Sequence, residues 1–129
     1  MKFRYRKYPV PPSEAHPSLR WYLRPVIPTE IIHKTNKLKT FAVIDSGADW
    51  CIFQGAIGQE IGIDVTSGKQ QKLIGLAQKP VLAYFHDIEL NIGGWKLPCY
   101  AGFSFALDKL PFGILGQDGF FSQYIDSYV

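Results

Sequence analysis

Cysteine is scarce in this chain, with two in 129 residues, Cys51 and Cys99, in the contexts DWCIF and LPCYA. Two are too few for the dense disulfide framework of a small secreted scaffold. Apolar neighbours predict two buried thiols instead. Histidine is scarce as well, and His16, His33 and His86 have no ligand spacing, so no metal site is expected. No apolar stretch approaches the roughly 20 residues that a bilayer span requires. The basic start MKFRYRKYPVPP runs into prolines rather than an apolar segment, so it does not read as a signal peptide. GQDG at 116–119 lacks a phosphate-loop pattern. A soluble, cytoplasmic protein with no membrane association is the expectation.

What is present points to a folded β protein. Apolar and aromatic residues make up 47% of the chain, which argues against disorder. Gly 12 and Pro 9 punctuate the chain often, as the turns of an all-β domain require. Charge is unevenly placed. Met1 to Thr40 holds nine Lys/Arg against Glu14 and Glu30, a balance of +7, while the remainder carries −4. A basic arm with aromatics invites a nucleic-acid reading. No RNA- or DNA-binding motif accompanies it, so a nucleic-acid partner is not expected.

Residues 1–20 form a basic, Pro-rich stretch expected to be an extended, flexible leader, and residues 21–129 read as a single domain. RWYLRPVIPTEII is rich in β-formers but interrupted by Pro25 and Pro28, which predicts an edge strand. TFAVI predicts a short buried strand ending at Asp45, and WCIF resumes the strand pattern. QGAIGQEIGID predicts one short helix, broken by Gly62. KQQKLIGLAQKPVLAYFHDIELNI predicts a long hairpin. Within it, apolar residues alternate at Val81, Ala83 and Phe85 and then shift phase to Ile88, Leu90 and Ile92. A bulge or bend near His86 and Asp87 would accommodate that shift. Gly93-Gly94 predicts a tight turn. Trp95 to Phe105 then alternates as a half-buried strand, GILG is a short apolar segment, and the tail opens with a short helix. The architecture expected is all-β, a closed barrel or sandwich with one or two short helices and a flap hairpin.

FAVIDSGADW at 41–50 carries the chemistry. An apolar strand delivers a carboxylate onto a glycine turn, and burying such a charge costs several kcal/mol unless it is paired or hydrogen-bonded. One reading is structural, an Asx-turn aspartate at a strand end. The other is catalytic. A lone aspartate is a poor base at neutral pH, whereas two held close together share a proton and act as base and acid. Gly47 would adopt a backbone conformation that other residues resist and admit a substrate backbone, and Ser46 would brace the loop.

FAVIDSGADWCIF resembles the active-site segment of retropepsin-like aspartic proteases, in which an apolar strand enters D-[ST]-G-A-[DE]. KLIGLAQKPVLAYFHDIELNIGGWKLPCYAGF resembles that family's flap hairpin and following strands, and PFGILGQDGFF its apolar-apolar-Gly segment. The resemblance spans roughly Val26 to Tyr124. It implies that Asp45 is catalytic, that Ser46, Gly47 and Gly116 support the catalytic loop, and that Gly47, Ala48, Asp49, Gly75 and Leu76 contact substrate. No metal or other cofactor is implied. IGLAQKP lacks the glycine-rich flap tip common in the viral members, and Trp50 is bulky where some relatives carry a small or acidic residue. The chain holds a single D-[ST]-G, since Asp118 in GQDG is not a second copy. The resemblance therefore implies a homodimer, with one Asp45 from each chain completing the pair, and a peptide or protein substrate. The alternative is a non-catalytic module of the same fold that dimerises or binds peptides.

Overall fold

The computed structural model describes residues 5–73 and 80–124. Among the described residues, nine strands and two short helices follow one another. The strands are β1 (Arg6–Pro9), β2 (Trp21–Arg24), β3 (Val26–His33), β4 (Asn36–Ile44), β5 (Ile52–Gln54), β6 (Lys69–Leu73), β7 (Val81–Ile92), β8 (Trp95–Ser104) and β9 (Gly113–Leu115). The helices are α1 (Gly55–Glu60) and α2 (Phe121–Tyr124). β3, β4, β9, β5, β8 and β7 are hydrogen-bonded in that order, and β7 returns to β3 through Glu30↔Asn91 to Ile32↔Glu89. Six strands thus close a barrel, and β6 is appended to β7 at the end of the sheet. Closure removes the exposed edges that an open sheet of this size would leave.

Pro25 divides the segment expected to be one edge strand. Before it, β2 pairs with β1, from Arg6↔Arg24 to Pro9↔Trp21, forming a separate two-stranded ribbon. A strand therefore lies inside the stretch expected to be a flexible leader. Its side chains are mostly exposed, and it rests on the barrel through Arg6 over the Phe41 ring at 4.1 Å and Tyr8 edge-on to Phe112 at 5.4 Å. After Pro25, β3 is an interior strand with β4 on one side and β7 on the other. Pro28 is tolerated because the pairing with β7 covers only Glu30 to Ile32.

Of the bulge or bend expected near His86 and Asp87, no bulge is present. β7 and β8 pair in unbroken register from Tyr84↔Phe103 to Ile92↔Trp95, around a turn in which Gly93 and Gly94 have φ of 60° and 88°. Two cores explain the phase shift. Ala83 and Phe85 belong to a small cluster with Ile52, Leu107 and Ile114, whereas Ile88, Leu90 and Ile92 belong to the main core around Phe53, Phe103 and Phe120. The strand passes from one core to the other, so first one face and then the other is buried, with no residue inserted. His86 is structural, with Nε2 2.8 Å from the Val65 carbonyl and its ring edge-on to Phe103.

The arms of the expected flap hairpin are present as β6 and β7, paired from Lys69↔Phe85 to Leu73↔Val81. The tip, with Gly75 and Leu76, lies outside the described residues. α1 ends at Glu60, and Gly62, with φ of 84°, follows its C-cap Ile61. Among the described residues no helix is long and apolar enough to cross a membrane, and no group of three or more His, Cys, Asp or Glu could hold a metal ion.

Candidate active site

β4 carries Phe41 to Ile44 up to Asp45, and β9 fixes where that strand ends. The two strands pair in parallel through Ile44↔Leu115, and the Asp45 N–H donates to the Leu115 carbonyl at 3.0 Å. The chain then turns tightly, with the Ala48 N–H donating to the Asp45 carbonyl at 3.1 Å. Asp45 is half-buried, while Ser46, Gly47 and Asp49 are exposed. The Gly47 N–H donates to Asp45 Oδ1 at 2.9 Å, which orients the carboxylate. This is the hydrogen bond of an Asx-turn, so the geometry expected of a structural aspartate is present as well.

A second loop, Gly116 to Gly119, locks the first. The Gln117 N–H donates to the Ala48 carbonyl at 2.8 Å and the Asp118 N–H to the Asp49 carbonyl at 2.9 Å. Trp50 and Asp118 form a parallel bridge. The side-chain Nε2 of Gln117 donates to the Ser46 carbonyl at 2.7 Å. Gly116 sits so close behind the loop that an added Cβ would overlap the carbonyl oxygens of Trp50 and Ala48. Polar backbone groups that an irregular loop would leave unpaired are thereby satisfied.

Two details differ from expectation. Gly47 has no left-handed φ, because the described glycines with positive φ are Gly62, Gly93, Gly94 and Gly119. Its missing side chain matters for access: a Cβ there would lie 3.3 Å from Asp45 Oδ1. The bracing expected of the Ser46 side chain is provided by its carbonyl, through Gln117. Sequence reasoning missed Gln117 altogether. Its position directly after the apolar-apolar-Gly segment was the available signal.

A cleft of about 420 Å³ opens beside the loop. Asp45, Gly47, Ala48 and Asp49 line one part of it, with Trp50, Ile52 and Ile114 contributing apolar wall and Gln71 to Leu73 of β6 adding a strand. The wall continues into the small core, where Trp50 meets Phe85 edge-on at 5.8 Å and 80°. Lys72 lines the same cleft as the two carboxylates. Of the residues singled out in the sequence, Asp45, Gly47, Ala48 and Asp49 therefore converge on one cavity. Gly116 lies behind it, and Ser46 is in the loop between.

Beneath the second loop lie the two buried cysteines. Their sulfurs both approach Gly119, and the Cys51 thiol donates to the Asp118 carbonyl at 3.4 Å. A hydrogen bond shared with Cys51, together with burial, pushes the Cys99 thiol far above the usual range. The Cys99 thiol in turn lowers Cys51.

No family model and no curated protein sequence matches the chain. A solved structure of the protease of EIAV, in complex with the inhibitor HBY-793, superposes with a TM-score of 0.58. The superposition covers 82% of this chain and 92% of the EIAV chain, at 18% sequence identity. This is the retropepsin-like fold. At that identity the likeness establishes the architecture, a closed barrel with a hairpin beside the cleft, and the chemistry has to be argued from this chain's own residues.

Proposed function

We propose that the chain is an aspartic endopeptidase that hydrolyses peptide bonds as a symmetric homodimer, with Asp45 of each protomer forming one shared site. The observation that carries this reading is the placement of Asp45. Asp45, its backbone N–H held by the Leu115 carbonyl and its carboxylate by the Gly47 N–H, lines an open cleft rather than being sealed in the core. The retropepsin-like fold supports it.

In this reading a two-fold axis brings the two Asp45 loops together, an isologous contact of the commonest kind. Two carboxylates that close cannot both ionise comfortably, so they hold one proton between them. The ionised member takes a proton from a bound water as that water attacks the scissile carbonyl. The protonated member hydrogen-bonds the developing oxyanion, and the leaving amine receives a proton as the C–N bond breaks. Gly47, Ala48 and Asp49 would run along the substrate backbone. β6, which ends the sheet among the described residues and lines the cleft with Gln71 to Leu73, offers a strand edge for an extended peptide. Ser46 and Gly116 would support the loop, Gly75 and Leu76 would contact substrate, and the apolar wall at Trp50 and Ile114 would take a substrate side chain.

The test is a peptide-library digest across acidic and neutral pH, with wild type and Asp45→Asn and with a statine-type transition-state mimic. Cleavage by wild type alone, suppressed by the mimic, is expected. A second reading, a non-catalytic module, is favoured by the Asx-turn hydrogen bond at Asp45. It predicts peptide binding without cleavage under every condition, in wild type and mutant alike.

A further inference from the structure

Ser46 and Gly47 are joined by one peptide unit, and that unit is held from both sides. Its N–H donates to Asp45 Oδ1 at 2.9 Å, and its C=O accepts from Gln117 Nε2 at 2.7 Å. A peptide unit is planar, so fixing its oxygen fixes the direction of its N–H. The atom of Gln117 that faces the Ser46 carbonyl must be the amide nitrogen, because a carbonyl oxygen only accepts. Gln117 is itself anchored, its backbone N–H donating to the Ala48 carbonyl at 2.8 Å.

We infer that Gln117 is a positioning residue for Asp45, acting through the Ser46–Gly47 peptide. The inference rests on the peptidase reading above. A donor on the carbonyl polarises the peptide and strengthens the hydrogen bond its N–H makes to the carboxylate, since linked hydrogen bonds reinforce one another. Hydrogen bonding to the ionised form favours that form. The Gln117 amide therefore orients the carboxylate and supports its charge while adding no net charge to a site whose two acids share a single proton. Gln117 is exposed, so its side chain contributes little to the core and can be exchanged without emptying it.

Two near-isosteric variants test this. Gln117→Met keeps the length and loses the donor. Gln117→Glu has no donor when ionised and regains an O–H donor when protonated. For Gln117→Met, kcat is expected to fall about tenfold with KM little changed, as weakening the Gly47 N–H bond to the reacting carboxylate implies. The acid limb of its pH–rate profile is expected to move to higher pH. For Gln117→Glu, activity is expected to approach wild type at acidic pH and to fall as the glutamate ionises. An unchanged kcat and profile in Gln117→Met overturns the inference, as does an equal loss at every pH in Gln117→Glu.

The Gly47 amide resonance gives a readout that needs no catalysis. In Gln117→Met it should move to the position of a weaker hydrogen bond, while the rest of the amide spectrum stays native. A Gly47 resonance that does not move overturns the inference. If Asp45→Asn cleaves as fast as wild type, or wild type cleaves nothing, the peptidase reading fails. The coupling between Gln117 and Gly47 is then decided by that resonance alone.

Discussion

The amide N–H of Asp45 donates to the carbonyl of Leu115 at 3.0 Å, tying the residue that follows an apolar strand to a strand that arrives 70 positions later. The candidate site exists only because β4 and β9 lie side by side in parallel, with Ile44 opposite Leu115. A loop built this way is rigid from behind and open in front.

Gly116 is the tightest point of that arrangement. A methyl group there meets the carbonyl oxygens of Trp50 and Ala48, neither of which can swing away as a flexible side chain would. Gly116→Ala is expected to lose about 1–3 kcal/mol of stability, in the range of overpacking. Urea unfolding would show the loss as a lower midpoint at an unchanged slope. A variant as stable as wild type would mean that the two loops are not locked as described.

Gly47 is expected to behave differently. Its backbone is not left-handed, and an added Cβ would be 3.3 Å from the Asp45 carboxylate and near no other described atom outside its chain neighbours. Gly47→Ala should fold with a stability within about 1 kcal/mol of wild type, since surface changes away from special geometry cost little. Its cleavage activity and binding of a statine-type mimic should nevertheless fall, because the methyl occupies the approach to the carboxylate. Full binding of the mimic by Gly47→Ala contradicts this.

Tyr124 makes stability sensitive to alkali. Its hydroxyl lies 2.9 Å from the Leu90 carbonyl and 2.8 Å from that of Trp95, pinning α2 to the β7–β8 hairpin. Burial, followed by the nearby Cys99, pushes its pKa up from 10.0 to about 12. A raised value means that the folded state prefers the protonated phenol. The contribution is fully present below pH 10.0 and is lost as pH rises toward about 12. Denaturant midpoints measured from about pH 9 to 12 should fall above about pH 10, and Tyr124→Phe should show a shallower fall there. An identical slope in the variant contradicts the assignment.

The paired thiols give a separate check on the core. Cys51 has no exposed surface and Cys99 has 4%. Neither should react with an aromatic disulfide reagent at neutral pH until denaturant opens the fold, at which point two equivalents should be released. Rapid labelling of the native protein would contradict their burial.

Much of this was legible in the sequence, and the exceptions have identifiable physical causes. Four apolar residues running into Asp-Ser-Gly announced both the strand and the carboxylate at its end, because burial and turn chemistry are local. Gly93-Gly94 announced its turn for the same reason. Arg6–Pro9 was not legible as a strand, since it buries almost nothing and its pairing with β2 leaves no alternation to read. The phase shift in β7 suggested a bulge because alternation was taken to serve one core, whereas Phe85 and Ile88 face different ones. Gln117 stood out only by its place directly after the apolar-apolar-Gly segment, because its partner, the Ser46 carbonyl, lies 71 residues away and offers only a backbone atom.

Subunit mixing tests most directly whether one Asp45 from each of two chains makes the site. A fixed amount of wild type is assayed for peptide cleavage while Asp45→Asn protein is added in increasing excess, after equilibration long enough for subunits to exchange. A shared dyad predicts that activity falls toward zero as wild-type chains are drawn into dimers with only one aspartate. Activity that stays constant across the titration would contradict it.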